Sequence, residues 1–324
     1  MKKLLALSAA VLASLMLYIA VFAVVQRPLT LGDLVKQLDF KLAYAKSIKG
    51  PKVMVLAGSN GRYSHSCEVI SQTLGRPCVN ASIAAGIGLD FLLTQFDAVL
   101  QPGDLVYMPL EYEQYTATAE DMHRGAQNAM LARSRGADYL RSLSAARLAE
   151  VFSAYDLPFL IRGGFEMALA HHGLKRRTGI DTLTEQGDEK GHTAQKALAY
   201  REFVMHEPTP QAAVVPSPDA LAAMSAFLRR QNEKHVVVVG GLPTVPSDTA
   251  IEAADVERIR NLFTSAGQHF VVAPNLARYP RSCLFDSVYH LHEECQKRHS
   301  AAVARLLQPL LPPSTDRAAA STPY

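Results

Sequence analysis

The sequence predicts an α/β fold, a parallel sheet of about five strands held between two layers of helices. Three observations carry that prediction. Short apolar runs bounded by Pro or Gly alternate with segments of helical spacing. The first five of these elements read β-α-β-α-β, and the alternation resumes after residue 215. Parallel strands cannot be joined by a tight turn, so each needs a crossover of this kind.

The elements follow in order. Residues 52–57 form the first strand, which breaks into Gly58-Ser59-Asn60-Gly61. Residues 67–74 have helical spacing at Val69, Ile70 and Leu74, and Gly75 ends the helix. Residues 77–83 give the second strand. Residues 89–100 give the second helix, with Phe91, Leu92, Phe96 and Leu100 inward. Pro102-Gly103-Asp104 turns the chain into a third strand over 105–110.

Regularity weakens over about 115–215, which reads as an insertion with helices near 120–150 and 158–173, either a lid or a membrane-facing element. Arg162 and Glu166 argue against a membrane span there. Ser217-Pro218-Asp219 is a helix start, with a cap and Pro in the first turn. Leu221, Met224 and Leu228 make its apolar face. The fourth strand covers 235–239 and the fifth 269–273, with a helix between them marked by Val256, Ile259 and Phe263.

The ends bound the domain. Lys2 and Lys3 precede an uncharged apolar run over 4–25, followed by Gln26-Arg27. About 20 apolar residues span a bilayer, so 1–27 is expected to be a signal anchor, a transmembrane helix with its lysines in the cytoplasm. The body would then lie in the periplasm, held on a bacterial inner membrane. Cleavage after Ala23, leaving a soluble periplasmic protein, is the alternative. Residues 28–50 read as a juxtamembrane helix or linker, 51–311 as the α/β domain and 312–324 as a disordered tail rich in Pro, Ser, Thr and Ala.

The chain has 324 residues, with 48% hydrophobic, 19% charged and a net charge of +3. Its basic residues are scattered, which argues against a nucleic-acid partner. An exported chain can oxidise its cysteines. Cys67 and Cys78 flank the first helix of the domain, and Cys283 and Cys295 flank the last motif, so two local disulfides are one reading. Four buried thiols are the other, and four cysteines allow three pairings.

In open α/β sheets, ligands bind beyond the carboxyl ends of the strands. Ser59 and Asn60 follow strand one, and Asn80, Ser82 and Gly86 follow strand two. Glu111, Tyr112 and Glu113 follow strand three, and Asp286, His290 and His292 follow strand five. Serine is a weak nucleophile until an oriented base takes its proton, and this set holds such a base and an acid to orient it.

The order of these blocks resembles the SGNH (GDSL-type) hydrolase superfamily: a serine after strand one, Asn-x-x-x-x-Gly after strand two, and Asp…His before the last helix. The resemblance covers roughly 51–115 and 215–305. "GSN", "LEYEQY" and "DSVYHL" bring it nearest to exported, membrane-anchored members linked to acylation of secreted polysaccharide, bacterial cellulose among them. It implies an SGNH/flavodoxin-like three-layer fold, Ser59 as nucleophile, His290 as general base and Asp286 as its orienting acid. Gly86 and the Ser59 amide would donate to the oxyanion, and no cofactor or metal would be needed.

Two departures stand out. The superfamily's third block supplies an asparagine donor, where this chain has Leu110-Glu111-Tyr112-Glu113. Asn60 and Tyr112 are the candidates to replace it. The Asp-to-His spacing is also one residue longer than Asp-x-x-His. "GDEKGH" over 187–192 resembles a segment of similar proteins, so Asp188 and His192 are candidates to reach the site from the insertion.

The expected chemistry is serine-dependent acyl-ester transfer or hydrolysis on a polysaccharide or other acylated carbohydrate, with a membrane acyl-transfer or synthase partner. The competing expectation is a catalytically degenerate domain acting as a scaffold or polysaccharide-binding component of an export complex. Residue by residue, simpler readings also exist. Ser59 alone is a turn serine, and His290 alone a surface histidine. Asp286, His290 and His292 could share a metal, but no fourth ligand offers itself. Gly240-Gly241 lacks dinucleotide-site spacing and reads as a close turn.

Overall fold

The computed structural model describes residues 2–25, 29–123, 126–153, 157–172 and 179–312. Seven short strands occur among them: β1 (Val53–Val55), β2 (Cys78–Asn80), β3 (Leu105–Met108), β4 (Val237–Gly240), β5 (Val245–Pro246), β6 (His269–Phe270) and β7 (Arg278–Tyr279). Five form one sheet in the order β2-β1-β3-β4-β6, parallel throughout. β5 and β7 make a separate parallel pair.

The sheet is buried on both faces, which is why its strands read as continuous apolar runs. Met54, Val106 and Val238 face one core. It is closed by α2 (Leu29–Ser47), α5 (Leu89–Asp97), α7 (Pro218–Glu233) and α8 (Ala253–Thr264). Val53, Val55, Leu105, Tyr107 and Val239 face the other, against α4 (Cys67–Leu74) and α9 (Glu293–Leu307). The two-residue alternation along β1 and β3 follows from the pleat.

Residues 28–50, expected as a juxtamembrane helix or linker, hold α2, which packs into the core of the domain. Leu34, Leu38, Leu42 and Ala45 recur at helical spacing and are buried in the main core. Gln37 Nε2 donates to Gly179 O at 3.0 Å. Lys41 Nζ donates to Ser82 O, on the loop after β2. Burial drives the Lys41 ammonium far below its ordinary pKa, and Arg62 adds to the effect.

The N-terminal segment is helical, α1 (Lys2–Val25). The transmembrane expectation is not met: no helix among the described residues is long and apolar enough to cross a membrane. Residues 1, 26 and 27 of the expected anchor lie outside the described residues, as does the expected tail from 313 onward.

Between β3 and β4 the chain forms α6 (Tyr112–Thr116) and then helices Ala119–His123, Ala126–Ser134, Gly136–Ser142, Ala145–Ser153 and Leu157–His171. Two disulfides are present, Cys67–Cys78 and Cys283–Cys295, the local pairing. The first ties α4 to β2. The second closes the loop that carries Asp286 and His290.

Candidate active site

The turn after β1 is built around glycine and a buried acid. Ser59 begins α3 (Ser59–Ser64), with Gly58 as its cap. A Cβ on Gly58 would lie 2.5 Å from Glu111 Oε1 and 2.7 Å from the Ala85 nitrogen, so no side chain fits. Glu111 fills that space because it accepts from the backbone amides of Gly58 (2.9 Å) and Asn60 (2.7 Å). β1 and β3 are neighbours in the sheet, which brings their carboxyl-end loops together. Burial pushes the Glu111 carboxyl up from its ordinary pKa, against those amide bonds and the nearby His290. Glu111 is thus an acceptor that clamps the turn carrying Ser59.

Asp286 and His290 meet despite their longer spacing. Phe285 N donates to His290 O at 2.8 Å, and His290 N to Ser287 O at 3.1 Å. An antiparallel bridge joins Leu284 to Leu291. This closed loop sets His290 Nδ1 2.6 Å from Asp286 Oδ1. That bond leaves Nε2 as the other ring nitrogen. Nε2 is buried and has no hydrogen-bond partner among the described residues. Ser59 Oγ makes no hydrogen bond there either.

Three contacts bring this loop against α3. The Tyr63 ring, one turn beyond Ser59, stacks on His290 with centroids 4.2 Å apart and planes 12° from parallel. Asn60 Nδ2 donates to Tyr289 O (3.0 Å) and to Thr244 Oγ1 (2.7 Å). Ser64 Oγ donates to Tyr289 O at 2.9 Å. Residues four apart share a helix face, so Ser59 lies on the side of α3 that carries Tyr63.

The remaining candidates separate. Asn60 is fully buried and its amide is taken up by Thr244 and Tyr289, so it braces the loop and is not free to meet an oxyanion. Gly86 is exposed, in a single turn of 3-10 helix at Ala85–Ile87 beside the Gly58 cap. Tyr112 is buried, and its hydroxyl has no partner among the described residues. Asp188 is drawn away from the site: its Oδ2 accepts from the Cys67 amide at 2.8 Å, and burial lifts its pKa to about 6.

His192 does come in from the insertion. Its ring meets Tyr63 edge-on at 5.5 Å and Phe285 at 5.7 Å, and burial lowers its pKa to about 4, so it is neutral at pH 7. Tyr63, Phe285 and Thr244 are site residues that the sequence reading did not single out. Only Tyr63 left a trace there, four residues after Ser59.

The metal alternative is not assembled. His290 is bonded to Asp286, whereas His292 Nε2 faces Cys295 Sγ at 3.3 Å. Cys283, His292 and Cys295 do cluster, but both sulfurs belong to one disulfide.

The chain matches no known family model and no curated protein.

Proposed function

We propose that the protein carries out serine-dependent acyl-ester chemistry as a relative of the SGNH hydrolases. The single observation that carries this reading is the Asp286–His290 pair, with its free Nε2, held against the turn that presents Ser59. His290 would take the Ser59 proton as Oγ attacks an acyl carbonyl, then give that proton to the departing alcohol as the ester C–O bond breaks and the acyl group stays on Oγ. The Ser59 and Gly86 amides would face the oxyanion. Attack by water on the acyl-serine makes the protein an esterase, and attack by a sugar hydroxyl makes it an acyltransferase.

The two local disulfides support a place outside the cytoplasm. In this reading α1, exposed and mostly apolar from Leu4 through Leu17, serves export of the domain. The substrate is then an extracytoplasmic polysaccharide, cellulose among the candidates, and the acyl group comes from a membrane partner.

Glu111 favours a second reading. An acceptor stands where the superfamily has an oxyanion donor, and losing one such donor costs on the order of 10²–10³ in rate. A degenerate domain would bind polysaccharide or steady a synthase without turnover. Turnover of 4-nitrophenyl acetate, with and without cellotetraose as acceptor, separates the two. Release that vanishes in Ser59→Ala supports the enzyme. Equal background release by both proteins supports the scaffold.

A further inference from the structure

A cavity of about 430 Å³ lies beside the catalytic loop, between α6 and the segment 207–214. That segment carries Pro208 and Pro210 and is pinned at both ends. Arg281 Nη1 donates to Glu207 O at 3.0 Å, and Arg258 Nη1 donates to Val214 O at 3.2 Å. Between the pins it stands away from α6 and leaves the hollow.

Its wall is shared with the loop that carries His290. Glu207 Oε2 accepts from the Val288 amide at 2.8 Å, and Glu113 Oε2 accepts from Tyr289 Oη at 2.6 Å. Each carboxylate keeps a second oxygen for a ligand. Gln211 and Thr116 add polar groups, and the Tyr112 and Tyr289 rings add flat apolar surface. Among the described residues no Lys or Arg lines the cavity.

That lining selects a chemical class. Two carboxylates without a cation repel phosphates and carboxylates. Carboxylate oxygens accept strongly from hydroxyl groups, and apolar faces cover the C–H side of a ring. The volume falls within the range of small-ligand pockets.

We propose that this cavity is a subsite for a neutral, hydroxyl-rich sugar ring, placed so that the bound sugar adjoins the loop of His290. The proposal rests on the acyl-ester reading for its purpose, but its binding does not depend on catalysis. Glu113 and Glu207 are the specificity-determining residues. A sugar held by them meets the same two residues, Val288 and Tyr289, that precede the base.

The test is saturation-transfer NMR with cellotetraose on the full chain carrying Ser59→Ala, which removes turnover and leaves the cavity intact. Ala213→Trp, at an exposed position on the cavity wall, fills the hollow without entering the core. Thr116→Phe does so from the opposite wall, and a thermal melt checks the fold of both. The expected result is saturation of cellotetraose by the Ser59→Ala protein, weakened on the order of tenfold by either blocking variant. Cellotetraose signals that are absent, or unchanged in both folded variants, would overturn the proposal. Displacement of the sugar by tetramethylammonium at lower concentration than by glucose would also overturn it, since the carboxylates would then be a cation site. Serine labelling measured separately distinguishes failure of this subsite from failure of the enzyme reading.

Discussion

Tyr63 lies flat on His290, with centroids 4.2 Å apart. The stack fixes one face of the imidazole while Asp286 fixes Nδ1, so ring position and tautomer are set by different partners. Asp286→Asn keeps the shape but loses the charge-assisted acceptor. It should lower turnover on the order of 10²–10⁴ with little change in melting temperature. Tyr63→Leu should lower turnover less, through loss of the stack. Steady-state kinetics on an activated ester reads both.

Glu111 gives a stability prediction. Removing its carboxylate with Glu111→Ala strands the buried amides of Gly58 and Asn60, which should cost roughly 2–6 kcal/mol. Glu111→Gln keeps one carbonyl acceptor and should cost about half as much. Urea unfolding followed by circular dichroism measures the difference. Equal stability of all three proteins would remove the clamp from the account.

The disulfides make a paired prediction. Each closes a loop of similar length, with sequence separations of 11 and 12. In the chain-entropy picture each is worth about 3 kcal/mol. Cys67→Ser/Cys78→Ser and Cys283→Ser/Cys295→Ser should therefore lower the melting temperature by similar amounts. Only the second pair closes the loop of Asp286 and His290, so only it should also lower turnover of the folded protein.

A buried histidine pair predicts a pH effect. His299 Nε2 lies 3.1 Å from His65 Nε2, and Tyr279 Oη lies 2.9 Å from His299 Nδ1. Burial lowers the His299 pKa from 6.5 to about 4. Below pH 6.5 the unfolded chain binds a proton that the folded chain refuses, so this group costs stability as pH falls toward 4. His299→Gln lacks that cost. Its deficit relative to the parent should be largest near pH 7 and shrink by pH 4.5, as read from thermal melts across that range.

The sheet was legible because its strands are apolar on both faces and bounded by Pro or Gly. The convergence of the loops that carry Ser59, Glu111 and His290 was legible for a related reason: parallel strands deliver their following loops to one edge. α2 was legible as a possible helix but not as part of the core, because its apolar face, Leu34, Leu38 and Leu42, is interleaved with the buried polar residues Asp33, Gln37 and Lys41. Beside an apolar leader that mixture reads as a juxtamembrane segment. Glu111 was legible as a departure but not as a clamp, since that role depends on amides some fifty residues earlier. The Tyr63–His290 and His65–His299 contacts join segments more than two hundred residues apart and leave no local pattern.

The central claim is that Ser59 is an activated nucleophile. Fluorophosphonate labelling of the full chain, with the modified residue located by peptide mass spectrometry, tests it most directly. The account predicts a single adduct on Ser59, absent from Ser59→Ala and from His290→Ala, with all three proteins folded. A folded parent chain that takes no label, or takes it on another residue, would contradict the account.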